Sequence, residues 1–227
     1  MRGAPAPVAG VLALLAAGLV ALPACNMAVP ALYVIQGPNK KPAEFTLPED
    51  RKLVVFVDDR ENVVSRLQLR AQIADDIGTV LQQQELVREV VSGRELIAYV
   101  RRVETASRRV PIDELGKVVG ADLVLYVEMD SFALSADGAS ATPVSTGYLK
   151  VIDLREKRRL FPPDGDDPRG FPVTSEVKNM DLEMYRTSAA RRKAEDLLAK
   201  TFAQDVARVF FEHDPKNFGG GVSEFRR

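Results

Sequence analysis

Cysteine and histidine are nearly missing: the 227-residue chain has one of each, Cys25 and His213. A single cysteine excludes an internal disulfide and any zinc site built on several thiolates, and a single histidine excludes a multi-histidine metal cage. An excess of charge of either sign is missing too. Lys plus Arg is 31 against 32 for Asp plus Glu, a formal net charge of −1. That balance removes the electrostatic footprint of a nucleic-acid binder. There is no G-x-S-x-G elbow, no Walker loop, no G-x-G-x-x-G after a strand and no internal repeat, so no short motif marks a nucleophile or a phosphate cradle. With 46% apolar and 28% charged residues, the composition is ordinary for a globular protein. It excludes collagen, wholesale disorder and a multi-span membrane protein. The length predicts one domain, two at most.

What is present begins with an address. Met1-Arg2 gives a short positive start, Val8 to Leu22 is almost wholly apolar, and no acidic residue precedes Glu44. An apolar core of this length behind a positive charge predicts the h-region of a secretory signal, too short for a comfortable membrane span. The run ends at Leu22-Pro23-Ala24-Cys25. That string resembles the lipobox of bacterial lipoproteins, whose usual form is Leu, a small residue, Ala or Gly, then Cys; Pro23 departs from it. The resemblance implies removal of residues 1–24, diacylation of the Cys25 thiol and acylation of the new amine with chains of the palmitate kind. Two or more acyl chains anchor stably where one does not, and acylation accounts for a lone thiol in an exported chain. The expected location is the cell envelope, lipid-anchored and facing the periplasm, where nucleic acid is not a partner.

Residues 25–51 are expected as the lipidated cysteine and a tether. Pro30, Pro38, Pro42 and Pro48 punctuate it, and repeated prolines block regular ladders. Residues 52–214 are expected as the folded domain, and 215–227, with Gly219-Gly220-Gly221, as a flexible tail.

Within the domain, Leu53 to Val57 is apolar and β-branched and predicts a buried central strand. Leu67, Ala71, Ala74, Ile77 and Leu81 recur at spacings of three and four, one face of a helix over about Val64 to Leu86. A short strand at Val87 to Val91 precedes Ser92-Gly93-Arg94-Glu95, which has capping-box spacing. Leu96, Tyr99, Val100 and Val103 continue that helix. Pro111 opens a third helix and Gly120 suits its left-handed cap. Leu123 to Phe132 reads as a central strand and Asp137-Gly138 as part of its turn. Gly147–Leu154 and Lys157–Phe161 follow as antiparallel strands, then a Pro/Gly/Asp loop and a long helix over about Ser188 to Glu212. The predicted fold is α/β (α+β): a mixed sheet of about five strands with helices packed on it.

The strings "VVSGRELIAYV", "ELGKVVGADLVLYVEM" and "YLKVIDL", in that order before a long terminal helix, carry a second resemblance. The chain is similar to the lipoprotein α/β domain of curli-secretion lipoproteins, the TolB N-terminal domain and outer-membrane activators of penicillin-binding proteins. That resemblance implies a non-enzymatic envelope adaptor without a cofactor. Its expected partners are the membrane, through the N-terminal lipid, and an envelope protein complex or further copies of itself.

Candidate site residues are few. Arg101, Arg102, Arg108, Arg109, Arg158 and Arg159 form basic clusters that suit bidentate recognition of carboxylates on a partner or on peptidoglycan. Asp58-Asp59 ends a strand where α/β folds place site residues, and Asp164-Gly165-Asp166-Asp167 gathers carboxylates on a turn. The alternative to an adaptor is a metal-dependent or hydrolytic envelope enzyme using one of those acidic pairs. Glu128 and Asp130 share a strand face at period two. His213 is expected near a helix C-terminus, where its positive charge is mildly favoured.

Overall fold

The structure, a computed structural model, describes residues 40–105, 108–135, 141–178, 180 and 185–214. The signal, Cys25, the first part of the tether, the Asp137-Gly138 turn and the expected tail lie outside the described residues.

Six strands and four helices occur among the described residues, in the order β1 (Lys52–Asp58), α1 (Leu67–Gln83), β2 (Glu89–Val91), α2 (Gly93–Val103), α3 (Ile112–Val119), β3 (Leu123–Ala133), β4 (Val144–Asp153), β5 (Arg158–Phe161), β6 (Phe171–Glu176) and α4 (Ser188–Arg208). They form one mixed sheet. β2, β1 and β3 run parallel, with Val54 opposite Val91 on one side and Val124 on the other. β4 turns antiparallel to β3. Its far border is shared by β6, along Val144 to Leu149, and β5, along Val151 to Asp153.

The strand patterns explain the layering. β1 is apolar on both faces because both are covered. Leu53, Val55 and Val57 pack with Ile73, Ile77 and Leu81 of α1 and with Phe202 and Val206 of α4. Val54 and Phe56 point the other way, against Leu96 and Val100 of α2 and Leu115 of α3. β4 strictly alternates buried and half-buried residues, which records one helix-covered face and one more open face. On its covered face Gly147 is required: a Cβ there would lie 2.8 Å from the Glu128 carbonyl oxygen and 2.9 Å from the tip of the Phe202 ring. The missing side chain lets α4 approach the sheet.

The local signals resolve as follows. Ser92 caps α2, its hydroxyl accepting from Arg94 N. Gly120 closes α3 at φ 65°, a left-handed conformation that glycine adopts without strain. β6 is the strand beyond the expected five. Pro172 interrupts its pattern, yet a proline is tolerated because, among the described residues, β6 pairs with β4 alone.

Lys41 to Arg51, the last part of the segment expected as tether, lies against the domain. Lys41 and His213 exchange backbone hydrogen bonds at 2.8 and 3.0 Å, and Glu44 N donates to Val209 O. Leu47 is 3% exposed and Phe45 stacks on Phe161 at 5.2 Å. Among the described residues no helix is long and apolar enough to cross a membrane.

Candidate functional site

The C-terminal end of β1 lies beside the middle of β3, where a polar arrangement faces α2 and α3. Asp58 ends β1. Tyr126, two residues before Asp58's register partner Glu128, donates its hydroxyl to Asp58 Oδ2 at 2.5 Å. Arg60, on the turn after β1, donates from Nε to the same oxygen at 2.6 Å and from Nη2 to the Tyr126 hydroxyl oxygen at 2.8 Å. Three side chains from two strands and a turn therefore satisfy one another. Burial, then the neighbouring Asp58 carboxylate, pushes the Tyr126 hydroxyl far up, so it stays a donor. Burial works against the Arg60 charge, but the bond to Asp58 and the charges of Asp58, Tyr126 and Glu128 together outweigh it, and the guanidinium is held more firmly protonated.

Lys150, opposite Tyr126 on β4, places its ammonium 5.8 Å from the centre of the Tyr126 ring. Partial burial lowers its pKa. Glu128 opposes that shift, while Arg159 and Arg60 add to it. On the other side of Tyr126 a cleft opens between the sheet, α2 and α3. Phe56, Val100, Val110, Ile112 and Leu115 form its apolar walls, and Asp58, Arg60, Glu104 and Tyr126 its polar mouth. The cleft is narrow, with room for about one water.

The structure separates the members of each expected cluster. Asp58 enters the polar mouth, but Asp59 turns inward. It is 5% exposed and its two oxygens accept from Val63 N and Val64 N, shaping the turn that leads into α1. The Asp164–Asp167 loop is divided among arginines: Asp164 pairs with Arg159 at 3.1 Å, and Asp167 accepts from Arg169 N at 2.8 Å. Among the described residues no three of His, Cys, Asp and Glu gather as a metal would need. Glu128 and Asp130 do not act as a pair. The register shifts between Met129 and Ser131, and Asp130 accepts from Thr146 and faces Arg169 at 3.5 Å. His213 is buried, with Nδ1 3.0 Å from the Phe211 carbonyl oxygen.

The arginines divide as well. Arg158 is bonded to Glu156 at 2.6 Å and Arg159 to Asp164 and the Pro163 carbonyl. Arg101 and Arg102 end α2, and Arg108 and Arg109 lie on the segment leading to α3; all four are exposed. None of the four makes an ion pair among the described residues.

Residue patterns did not mark Tyr126, Arg60, Lys150 or Glu104 as site residues. Tyr126 and Lys150 sit inside strands whose sequence reads as core, and only the register brings them to the end of β1. A second polar set escaped as well. Asp205, 3% exposed on the inner side of α4, is bonded to Arg208 at 2.7 Å and lies near Ser175 and His213.

No family model matches the chain, and no curated protein matches it. Solved structures do. The hypothetical protein CT253 of Chlamydia trachomatis is 13% identical, with 70% of this chain and 94% of that one covered at a TM-score of 0.41. A PelC dodecamer of Paraburkholderia phytofirmans is 11% identical over 76% and 97% of the two chains, TM-score 0.38. Lipoprotein GNA1162 of Neisseria meningitidis is 12% identical over 65% and 99%, TM-score 0.38. All three are loose likenesses.

Proposed function

We propose that this chain is a lipid-anchored, non-catalytic interaction module of the bacterial cell envelope, tethered through Cys25 and facing the periplasm. Its relation to curli-secretion, TolB and penicillin-binding-protein-activator domains belongs to the same proposal. The observation that carries it is the string Leu22-Pro23-Ala24-Cys25 directly after the apolar run, ahead of an α/β domain whose packed chain starts at Lys41. The chain from Cys25 to Lys41 spans at most about 55 Å when fully extended, so lipidation would hold the domain close to one membrane. Its partner there is an envelope protein complex or a further copy of itself.

The test is fractionation and cross-linking in intact cells. Wild-type chain should take up labelled palmitate, sediment with membranes and cross-link to a defined envelope complex or to its own copies. Cys25→Ser should lose the label and leave the membrane fraction. A Cys25→Ser chain that sediments unchanged overturns the anchor. A wild-type chain that cross-links to nothing overturns the interaction module.

A further inference from the structure

We propose that the end of the domain where β1 stops and α4 starts, with Arg101, Arg102, Arg108, Arg109, Arg192 and Lys193 exposed on it, docks on the anionic headgroups of the membrane that holds the lipid anchor. The inference rests on the anchored-module reading and adds a second contact with the bilayer, made by the folded domain.

Contacts bring these six cations to one end. Val100, Glu104 and Val110 line the same narrow cleft as Asp58 and Arg60, so the last turn of α2 and the segment before α3 lie where β1 stops. The Arg102 guanidinium is 5.9 Å from the Tyr99 ring centre, and Arg108 acts electrostatically on the same Tyr99 hydroxyl. On the other face of the sheet, Arg70 of α1 donates to the Val57 carbonyl at 3.1 Å. Arg66, just before α1, bonds to Glu195, Asp196 and the Arg192 carbonyl of α4. The start of α4 is therefore held at the same end of β1.

The charge there is not balanced from within. Asp58 is engaged by Arg60, Glu114 by the Tyr99 hydroxyl, and Glu195 and Asp196 by Arg66. Glu61, Glu104 and Glu128 remain, and none of the six cations makes an ion pair among the described residues. Elsewhere arginines are matched: Arg94 with Asp75, Arg155 with Asp122 and Arg208 with Asp205, each at 2.7 Å. Helix polarity sharpens the contrast. α4 has no acidic residue in its first turn, and Arg191, Arg192 and Lys193 follow one another close to its start, where the positive end of a helix disfavours cations. An external anion offsets that cost.

Shape and tether length choose the anion. The cations stand on both faces of the sheet around its end, so a plane of phosphates meets them where one small anion would reach few. The strap leaves from the other end of α4, where Glu44 N donates to the Val209 carbonyl. Arg192 and Val209 are 17 positions apart, about 25 Å along the helix axis. The chain from Cys25 to Lys41 reaches about 55 Å at most, so an anchored domain can turn its basic end onto its own membrane. A basic surface joined to a lipid anchor is a two-signal attachment, and its electrostatic part is screened by salt.

The test uses the full lipidated chain in vesicles. Acylation occupies Cys25, the chain's one thiol, so Ala98→Cys on the exposed side of α2 takes a fluorophore alone. Gln83→Cys, exposed at the far end of α1, gives the reference. Lipid with a nitroxide headgroup quenches a label that lies on the bilayer. The Ala98→Cys label should be quenched about threefold more in phosphatidylglycerol-rich vesicles than in phosphatidylcholine vesicles, with the gain lost in high salt. The Gln83→Cys label should show no gain. Arg101→Glu, Arg102→Glu, Arg108→Glu and Arg109→Glu together should abolish the gain, while Arg158→Gln should leave it unchanged. Circular dichroism confirms that each variant is folded. Equal quenching of the Ala98→Cys label in the two lipids, a larger gain for Gln83→Cys, or a gain that survives the four-arginine variant overturns the docking. If quenching ignores the lipid and the four-arginine variant loses a complex cross-linked in cells, the basic end serves an acidic protein and the lipid proposal falls. Sedimentation separates the two readings. A chain that sediments with phosphatidylcholine vesicles is anchored whether or not the docking holds. One that sediments only with phosphatidylglycerol vesicles, and is released by salt, keeps the docking and removes the anchor. One that sediments with neither overturns both.

Discussion

Tyr126 reaches diagonally across two parallel strands to donate to Asp58 at 2.5 Å, although its register partner on β1 is Phe56. The bond ties the end of β1 to β3 at the depth where the apolar core gives way to polar side chains. Arg60 completes it by bonding to both residues. A phenol whose ionisation is so strongly opposed by burial and by a carboxylate is a permanent donor across the physiological range.

Removing that donor should be measurable. Tyr126→Phe keeps the ring and deletes two part-buried hydrogen bonds, the one donated to Asp58 and the one accepted from Arg60, and should cost about 1–2 kcal/mol in urea unfolding. Asp58→Ala leaves both Tyr126 and Arg60 without their acceptor and should cost more, about 2–3 kcal/mol. Equal losses for the two variants would show that Asp58 is not the common acceptor.

The strap from Lys41 to Arg51 should behave as part of the domain. Leu47→Ala empties a buried site and should cost about 2–4 kcal/mol. A chain beginning at Lys52 should melt well below one beginning at Lys40. Identical melting of the two would mean that the Lys41–His213 pairing and the Phe45–Phe161 stack contribute nothing to stability.

Asp205 predicts a pH dependence. Burial raises its carboxyl above the ordinary 3.8, with Ser175, Arg208 and His213 opposing that shift. The native chain then keeps a proton that the unfolded chain has already released. The group's contribution to stability is therefore greatest below 3.8 and is lost as pH rises through the raised value. Asp205→Asn should flatten that decline, gaining on wild type as pH rises across this window in urea titrations. Parallel stability curves for the two chains would contradict it.

The sheet and its helices were legible because their signals are local. β1 is a β-branched apolar run, α2 starts at a capping serine, and α3 stops at a glycine with φ 65°. β6 was not legible because Pro172 reads as an interruption, and only the pairing with β4 shows that it costs nothing there. The end of the strap was hidden by Pro42 and Pro48, which signal extended chain but say nothing of what that chain touches. At the site, the place of Asp58 followed from its position at a strand end. Its partners did not, because Tyr126 belongs to a core strand until register places it beside Asp58. The arginines were visible as clusters. That Arg158 and Arg159 are paired, while Arg101, Arg102, Arg108 and Arg109 make no ion pairs among the described residues, depends on which carboxylates folding brings near. Asp205 sits in the helical run beside Val206, and no spacing rule singles out one acid on a long amphipathic helix.

The divided border of β4 has its own consequence. Under the proposed lipid anchor the chain meets its own copies at high local density, where a long bare strand invites a neighbour to extend the sheet without limit. Here that side is closed by one strand of 4 residues and one of 6, the second carrying a proline that has no N–H to offer. The opposite side ends in a strand of 3 residues. Among the described residues the sheet's outermost strands are thus 3, 4 and 6 residues long, short templates for a growing stack, which favours gathering through side-chain surfaces.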